Sequence, residues 1–174
     1  KSVIPPTAKP PTCLRRWAVS RKAYQSQSSS PRSRMAWPVA AALSRIGLEG
    51  ERLTISHEEA RTGRKPKWVA VNSNSDGYDV LSIVGDGDSR SLSIEVKTST
   101  QGQAGAFHLS RNEWEMAQER MAHLFHLWDV KSAPPKLAKV SVEEMSGHVP
   151  IDSGSGTWES VAIPFAAFAP RFLP

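Results

Sequence analysis

The clearest pattern in the chain is a pair of segments in which branched apolar residues alternate with polar ones. The segments cover residues 77–84 and 91–98 and flank the run Gly85-Asp86-Gly87-Asp88. Gly and Asp tolerate the backbone conformations of tight turns, so this pattern predicts a β-hairpin. If the hairpin is centred near Gly87, Asp79 lies directly opposite Glu95, since each is eight residues from that centre.

The remaining apolar segments predict an α/β fold. We expect helices over residues 39–46 and 48–62, with a break near Gly47 and a C-terminal cap at Gly63. Ser110 and Glu113 have the spacing of a capping box, which predicts a helix over residues 111–121. Further strands are predicted over residues 68–71, 124–130, 136–142 and 158–163. The order of these elements predicts a mixed β-sheet flanked by helices.

The hairpin carries an unusual group of charges. Side chains alternate along a strand, so Glu95 and Lys97 share one face, and this face also holds Asp79. Residues directly opposite each other have Cβ atoms about 5 Å apart, where like charges are destabilising. The two carboxylates therefore need a cation, which Lys97 supplies in part. Mg²⁺, or Mn²⁺, is the expected cofactor, since hard cations take carboxylate oxygens.

These residues, together with others in a fixed order, resemble a known family. Asp79 followed by Glu95-Val96-Lys97 resembles the core of the PD-(D/E)XK nuclease superfamily. With Gly50-Glu51 before the hairpin and the run from Phe107 to Ala117 after it, the chain resembles the nuclease-like family named after the C-terminal domain of the plant protein NO VEIN. That family recurs in microbial defence and helicase proteins, and the resemblance spans roughly residues 45–170.

The resemblance implies a restriction-endonuclease-like fold and a Mg²⁺-dependent endodeoxyribonuclease, the effector part of a restriction, phage-defence or DNA-processing protein. The catalytic residues would be Asp79, Glu95, Lys97 and Glu51. Asp79 and Glu95 would bind the metal together with Glu51 and the carbonyl of Val96. The alternative function is a catalytically inactive module of the same fold that binds nucleic acid or a partner protein.

Charge divides the chain into two parts. Residues 1–34 hold eight of the 22 Lys and Arg residues and no acid, which leaves 14 basic against 17 acidic residues in the remainder. We therefore predict a disordered, basic, Pro- and Ser-rich linker or tail over residues 1–36 and a nuclease-like domain over residues 37–174. Because the domain itself is net acidic, any nucleic-acid binding by it must come from local patches.

The best local patch is the cluster of basic residues after the second predicted helix: Arg61, Arg64, Lys65 and Lys67. A cluster that is merely solvated is an equally good interpretation. The family resemblance adds Arg111 and Asn112, at the start of the capped helix, as nucleic-acid contacts. The expected partner is nucleic acid, with DNA as the expected substrate.

Three features limit the class of protein. Cys13 is the single cysteine, which excludes an internal disulfide, removes a Cys-rich zinc site and suits a reducing, cytoplasmic or other intracellular compartment. No apolar run of about 18 residues is present, so we expect no membrane span. The chain begins at Lys1 rather than Met, so we expect a piece of a longer protein, with further domains or a homodimer as open possibilities.

Overall fold

The computed structural model describes residues 36–70 and 77–172, with side chains from residue 45 onwards. The predicted basic tail therefore lies outside the described residues, except for Ala36. Within the described part, no helix combines the length and the apolar character that a membrane crossing requires.

The first element is a single long helix, α1, over Ala36–Thr62. The predicted break at Gly47 is wrong, because a glycine inside a helix costs only about 1 kcal/mol and its neighbours favour helix. The predicted end is confirmed. Gly63 has φ +64°, and its amide donates to the carbonyl of Glu59 at 2.9 Å.

Within residues 36–70 and 77–172, seven strands follow, joined by two further helices. The strands are β1 Lys67–Trp68, β2 Val80–Gly85, β3 Asp88–Ser99, β4 Ala106–Ser110, β5 His123–Asp129, β6 Lys136–Ser141 and β7 Ser160–Pro164. The helices are α2 Arg111–Glu119 and α3 Val142–Ser146, and short 3₁₀ segments cover Gly102–Ala104 and Phe165–Arg171. The predicted capping box at the start of α2 is confirmed.

Five strands form one mixed sheet in the order β1-β2-β3-β5-β6. β3 and β5 are parallel, whereas the other neighbours are antiparallel. The crossover between β3 and β5 contains β4, which pairs with β7 in a separate two-stranded sheet, and then α2. The predicted α/β fold with a mixed sheet flanked by helices is confirmed.

The two faces of the sheet are packed differently. One face buries apolar residues of β2 and β3 under α1, among them Val80, Ile94 and Val96. The opposite face is covered by α2, α3, the small sheet and the last 3₁₀ segment, around Phe125 and Leu127 of β5. On that second face β3 contributes polar side chains instead of apolar ones. The apolar core therefore stops at β5, and a polar cleft replaces it over β3.

Candidate active site

The cleft is built on the predicted register of the β2–β3 hairpin. Val80 pairs with Ile94, and the amide of Asp79 donates to the Ile94 carbonyl at 3.0 Å. Continued by one residue, this register sets Asp79 opposite Glu95, as the hairpin centre at Gly87 predicted. Alternation along β3 then points Glu95 and Lys97 away from α1 and toward α2.

Asp79, just before β2, is fixed by hydrogen bonds from β3 on one side and from the residues after β1 on the other. Its Oδ2 accepts from the amide of Val96 at 2.8 Å. Its carbonyl accepts from the amides of Val69 and Ala70, at 2.8 and 3.1 Å. The carboxylate is therefore locked against β3, just where β2 begins.

Lys97 joins two carboxylates from different elements. Its Nζ lies 2.8 Å from Oε1 of Glu95 and 2.9 Å from Oε1 of Glu113. The other oxygen of Glu113 accepts from the amide of Ser110 at 2.8 Å, as the capping box requires. One carboxylate thus both caps α2 and holds the ammonium over β3.

Glu51 is brought near Asp79 because α1 approaches β3 closely. A Cβ on Gly50 would overlap the Thr98 side chain and would lie 3.2 Å from Cγ1 of Val96, so only glycine allows this approach. Glu51 is the next residue, and its carboxylate accepts a hydrogen bond from the indole of Trp68 on β1. Glu51 is close enough to Asp79 for its charge to raise the pKa of that carboxyl.

Burial and crowding of like charge dominate the electrostatics. Burial, with smaller contributions from Glu51 and Glu113, raises the pKa of Asp79 from 3.8 to about 6. Glu95 is only 4% exposed, and burial raises its pKa well above the ordinary value. Burial also raises the pKa of Glu51. Three carboxyl groups are therefore held in a place where their charges are unfavourable.

For Lys97 and Glu113, in contrast, the surroundings favour the charged form of the side chain. Burial alone would lower the pKa of Lys97, but the charges of Glu95 and Glu113 outweigh it and raise that pKa. Burial would raise the pKa of Glu113, yet Lys97 and the Ser110 amide lower it. The ammonium and the Glu113 carboxylate are thus both charged near neutral pH.

The donor set suits a hard divalent cation. Asp79, Glu95 and Glu51 supply carboxylate oxygens whose mutual repulsion a metal would relieve. The N–H and C=O of one strand residue point to the same side, so the Val96 carbonyl lies on the Asp79 side of β3. However, no group of three or more His, Cys, Asp or Glu side chains is already arranged to hold a metal among the described residues.

The residues over this site also match a known family. Residues 50–140 match the family described as Protein NO VEIN, C-terminal. This stretch is more than half of the chain and includes every acidic residue of the cleft and Lys97. The chain belongs to this family. The predicted resemblance is therefore confirmed.

The chain was also compared with solved structures and with curated protein sequences. A solved structure similar to this NO VEIN C-terminal domain is the Holliday junction resolvase Hjc of the archaeal hyperthermophile Archaeoglobus fulgidus. The two share 19% sequence identity with a TM-score of 0.46, over 71% of this chain and 87% of that one. No curated protein sequence matches the chain.

The basic residues predicted to bind nucleic acid occupy different environments in this NO VEIN C-terminal domain. Arg64, Lys65 and Lys67 are exposed and stay a prediction. Arg61 is bound to Glu58, whose side chain is 1% exposed, and it donates to the carbonyls of Ile83 and Val84. The guanidinium of Arg61 therefore anchors α1 to the end of β2, and we leave it out of the proposed interface.

The two predicted contacts on α2 also differ. Arg111 is paired with Glu115 and Asp152, both at 2.7 Å, on the side of α2 away from Glu113. Asn112 is exposed and lines the cleft, a space of about 230 Å³. Asn112 is therefore the better placed of the two for a substrate in the cleft.

Several cleft residues were missed by sequence reasoning. Tyr78 and Gly77 line the cleft beside Asp79. Gly77 has φ +67°, and a Cβ there would lie 2.5 Å from Cγ of Met116. Both the backbone conformation and the close packing against α2 therefore require glycine at this position. The Glu113 contact with Lys97 was also missed, since the capping box alone explained that glutamate. One sequence signal pointed to it. Glu95 and Lys97 share the strand face that the crossover helix covers, so a polar residue of that helix could have been expected to contact Lys97.

Proposed function

We propose that this domain is a metal-dependent nuclease that hydrolyses phosphodiester bonds of DNA. The observation that carries the proposal is the convergence of Asp79, Glu95 and Lys97 in one cleft, in the order and register of a nuclease hairpin. Membership of the NO VEIN C-terminal family supports it. Mg²⁺ or Mn²⁺ is the proposed cofactor.

Asp79, Glu95 and Glu51 would hold the metal, with the carbonyl of Val96 as a further oxygen ligand. When bound, such an ion polarises a phosphate oxygen and lowers the pKa of coordinated water. The protein prepares the carboxylates for this task. Asp79 is fixed by the Val96 amide, and Glu51 is oriented by the Trp68 indole, so little rearrangement of these two groups is needed.

Lys97 would act as a cation rather than as a base. In the metal-free protein the charges of Glu95 and Glu113 raise the pKa of Lys97, which favours a protonated ammonium over a proton acceptor at neutral pH. Held by Glu95 and Glu113, the ammonium lies beside the carboxylates where the scissile phosphate would bind. It would orient the attacking water and stabilise the negative charge that develops on the phosphoryl oxygens.

A plasmid-nicking assay combined with calorimetry tests the proposal. We expect wild type to bind Mg²⁺ or Mn²⁺ and to nick the plasmid. Glu95→Gln should lose both properties, whereas Lys97→Gln should bind metal and lose nicking by about 100-fold or more. Asp88→Asn, on the hairpin turn at the far end from the cleft, is the matched control and should nick normally.

The same experiment tests the alternative of an inactive nuclease-fold module. That alternative is favoured by one observation: Lys97 forms ion pairs with both Glu95 and Glu113, so the protein itself balances part of the carboxylate charge. A wild-type protein that binds neither metal ion by calorimetry, and that nicks no plasmid in their presence, would refute the nuclease proposal. The cleft would then serve recognition only.

A further inference from the structure

A face of α2 runs along the segment that leads into Asp79. Asn112, Met116 and Arg120 are spaced by four residues and therefore lie on one side of this helix and its C-terminal cap. Met116 packs against Gly77, and a Cβ on that glycine would also lie 3.5 Å from Nδ2 of Asn112. The third member, Arg120, lies over the next residue of the segment, with its guanidinium carbon 4.8 Å from the ring centroid of Tyr78.

Arg120 differs in its partner from four other arginines of the described residues. Arg61, Arg90, Arg111 and Arg171 are each paired with a carboxylate. Arg120 is exposed, and among the described residues it forms no ion pair. The Tyr78 ring positions its guanidinium without neutralising it. A charged donor group with fixed geometry is thus presented to solvent at the rim of the cleft.

The cleft needs such a group if its ligand is an anionic strand. Its lining includes the carboxylates of Asp79, Glu95 and Glu113, and the ammonium of Lys97 is already paired with two of them. A phosphodiester chain that approached this cleft would be repelled on both sides of the scissile group. Tyr78 lines the cleft directly, so a cation held on its ring lies on the path that the strand would follow.

We propose that Tyr78 and Arg120 form a backbone-binding site for the nucleic-acid strand, at a phosphate outside the scissile one. This inference rests on the proposed nuclease function and adds where the strand runs. From Asn112 to Arg120 the helix rises about 12 Å. This rise exceeds the axial spacing of neighbouring phosphates in one strand of a duplex, about 3.4 Å, so a phosphate at Arg120 would differ from one beside Asn112.

Salt dependence of binding tests the assignment, because each phosphate contact contributes about 0.9 to the slope of log affinity against log salt. Binding of a labelled DNA duplex would be measured by fluorescence anisotropy from 50 to 200 mM salt, with the full chain. All variants would carry Glu95→Gln, which removes one cleft charge and prevents the proposed cleavage. Arg120→Gln should lower the slope by about 0.9, so that its affinity deficit shrinks about 3.5-fold across this range.

Matched variants separate charge from stacking. Arg120→Lys should keep the slope, because the charge remains. Arg90→Gln, which removes an exposed arginine at the opposite end of the hairpin, should leave the slope and the affinity unchanged. Tyr78→Phe should bind like the parent protein, whereas Tyr78→Leu should weaken binding because the guanidinium loses its aromatic support.

The outcomes distinguish this inference from the function on which it rests. If wild type nicks no plasmid and binds neither duplex nor single-stranded nucleic acid, the nuclease proposal fails and the strand path with it. Another outcome overturns only the Tyr78–Arg120 site. In it the Glu95→Gln parent binds DNA, and Arg120→Gln shows the same salt slope as the parent and the same midpoint of thermal unfolding. A slope reduced equally by Arg90→Gln would also overturn it, since the effect would then be one of net charge.

Discussion

Asp79→Asn should stabilise the metal-free protein and remove its activity. The folded protein raises the pKa of Asp79 from 3.8 to about 6, so its charge is disfavoured by the fold at neutral pH. A shift of this size corresponds to about 3 kcal/mol, since each unit is worth about 1.4 kcal/mol. Solvent screening at the partly exposed carboxyl reduces the expected gain to about 1–3 kcal/mol. The Asn side chain still offers an oxygen to the Val96 amide.

The gain has a defined pH dependence. Because the folded pKa of Asp79 is above the unfolded one, wild type loses stability as the pH rises from about 4 to about 6. The gain from Asp79→Asn should therefore be absent below pH 4, grow across this window and be complete above pH 6. Urea unfolding in EDTA, followed by circular dichroism at several pH values, measures it.

The buried aspartate Asp129 provides the control for that experiment. Asp129 accepts hydrogen bonds from the amides of Lys131 and Ser132 and from the Ser132 hydroxyl, so Asp129→Asn should destabilise the protein. Excess Mg²⁺ should then reverse the ranking of Asp79→Asn and wild type, since ligand at 100 times its Kd adds about 2.7 kcal/mol to the protein that binds it. An Asp79→Asn variant less stable than wild type at pH 7.5 in EDTA would refute the burial argument.

Two further predictions concern α1. Gly50→Ala should lower the free energy of unfolding by about 1–3 kcal/mol and reduce nicking, because the added methyl overlaps Thr98. Its control Gly47→Ala, with nothing within 4 Å, should raise stability by about 0.5–1 kcal/mol, and equal effects at both sites would contradict the close approach. Arg61→Ala should cost about 3 kcal/mol in urea unfolding, because it leaves a buried glutamate without its partner. Exposed Arg64→Ala should change stability by less than about 0.5 kcal/mol.

The hairpin was predictable because its register depends only on the number of residues between each position and the turn. A turn near Gly87 sets which residues are opposite, and strand alternation sets which share a face, so Asp79, Glu95 and Lys97 followed from the sequence. The family match covers the same residues. Nothing beyond local sequence was needed to bring these three side chains together.

The parts that were missed or misjudged depend on long-range packing. Sequence shows Arg61 as one of a basic group, but its role is set by the carbonyls of Ile83 and Val84, more than 20 residues away. Likewise, the capping role of Glu113 is local, whereas its contact with Lys97 requires the crossover helix to lie over β3. When a local role already explains a side chain, the sequence gives no sign that the same side chain also makes a long-range contact.

The charges of the cleft connect stability with function. Burial raises the pKa values of Glu51, Asp79 and Glu95, and neighbouring carboxylates add to this at Asp79 and Glu95, while Lys97 offsets only part of the cost. A site kept for stability alone would gain by replacing Asp79 with an amide or an apolar residue. The sequence instead fixes this carboxylate with a backbone hydrogen bond and brings Glu51 toward it through a glycine that permits no side chain. Such an arrangement becomes favourable when a cation and a phosphate bind, which is the condition that the proposed function supplies.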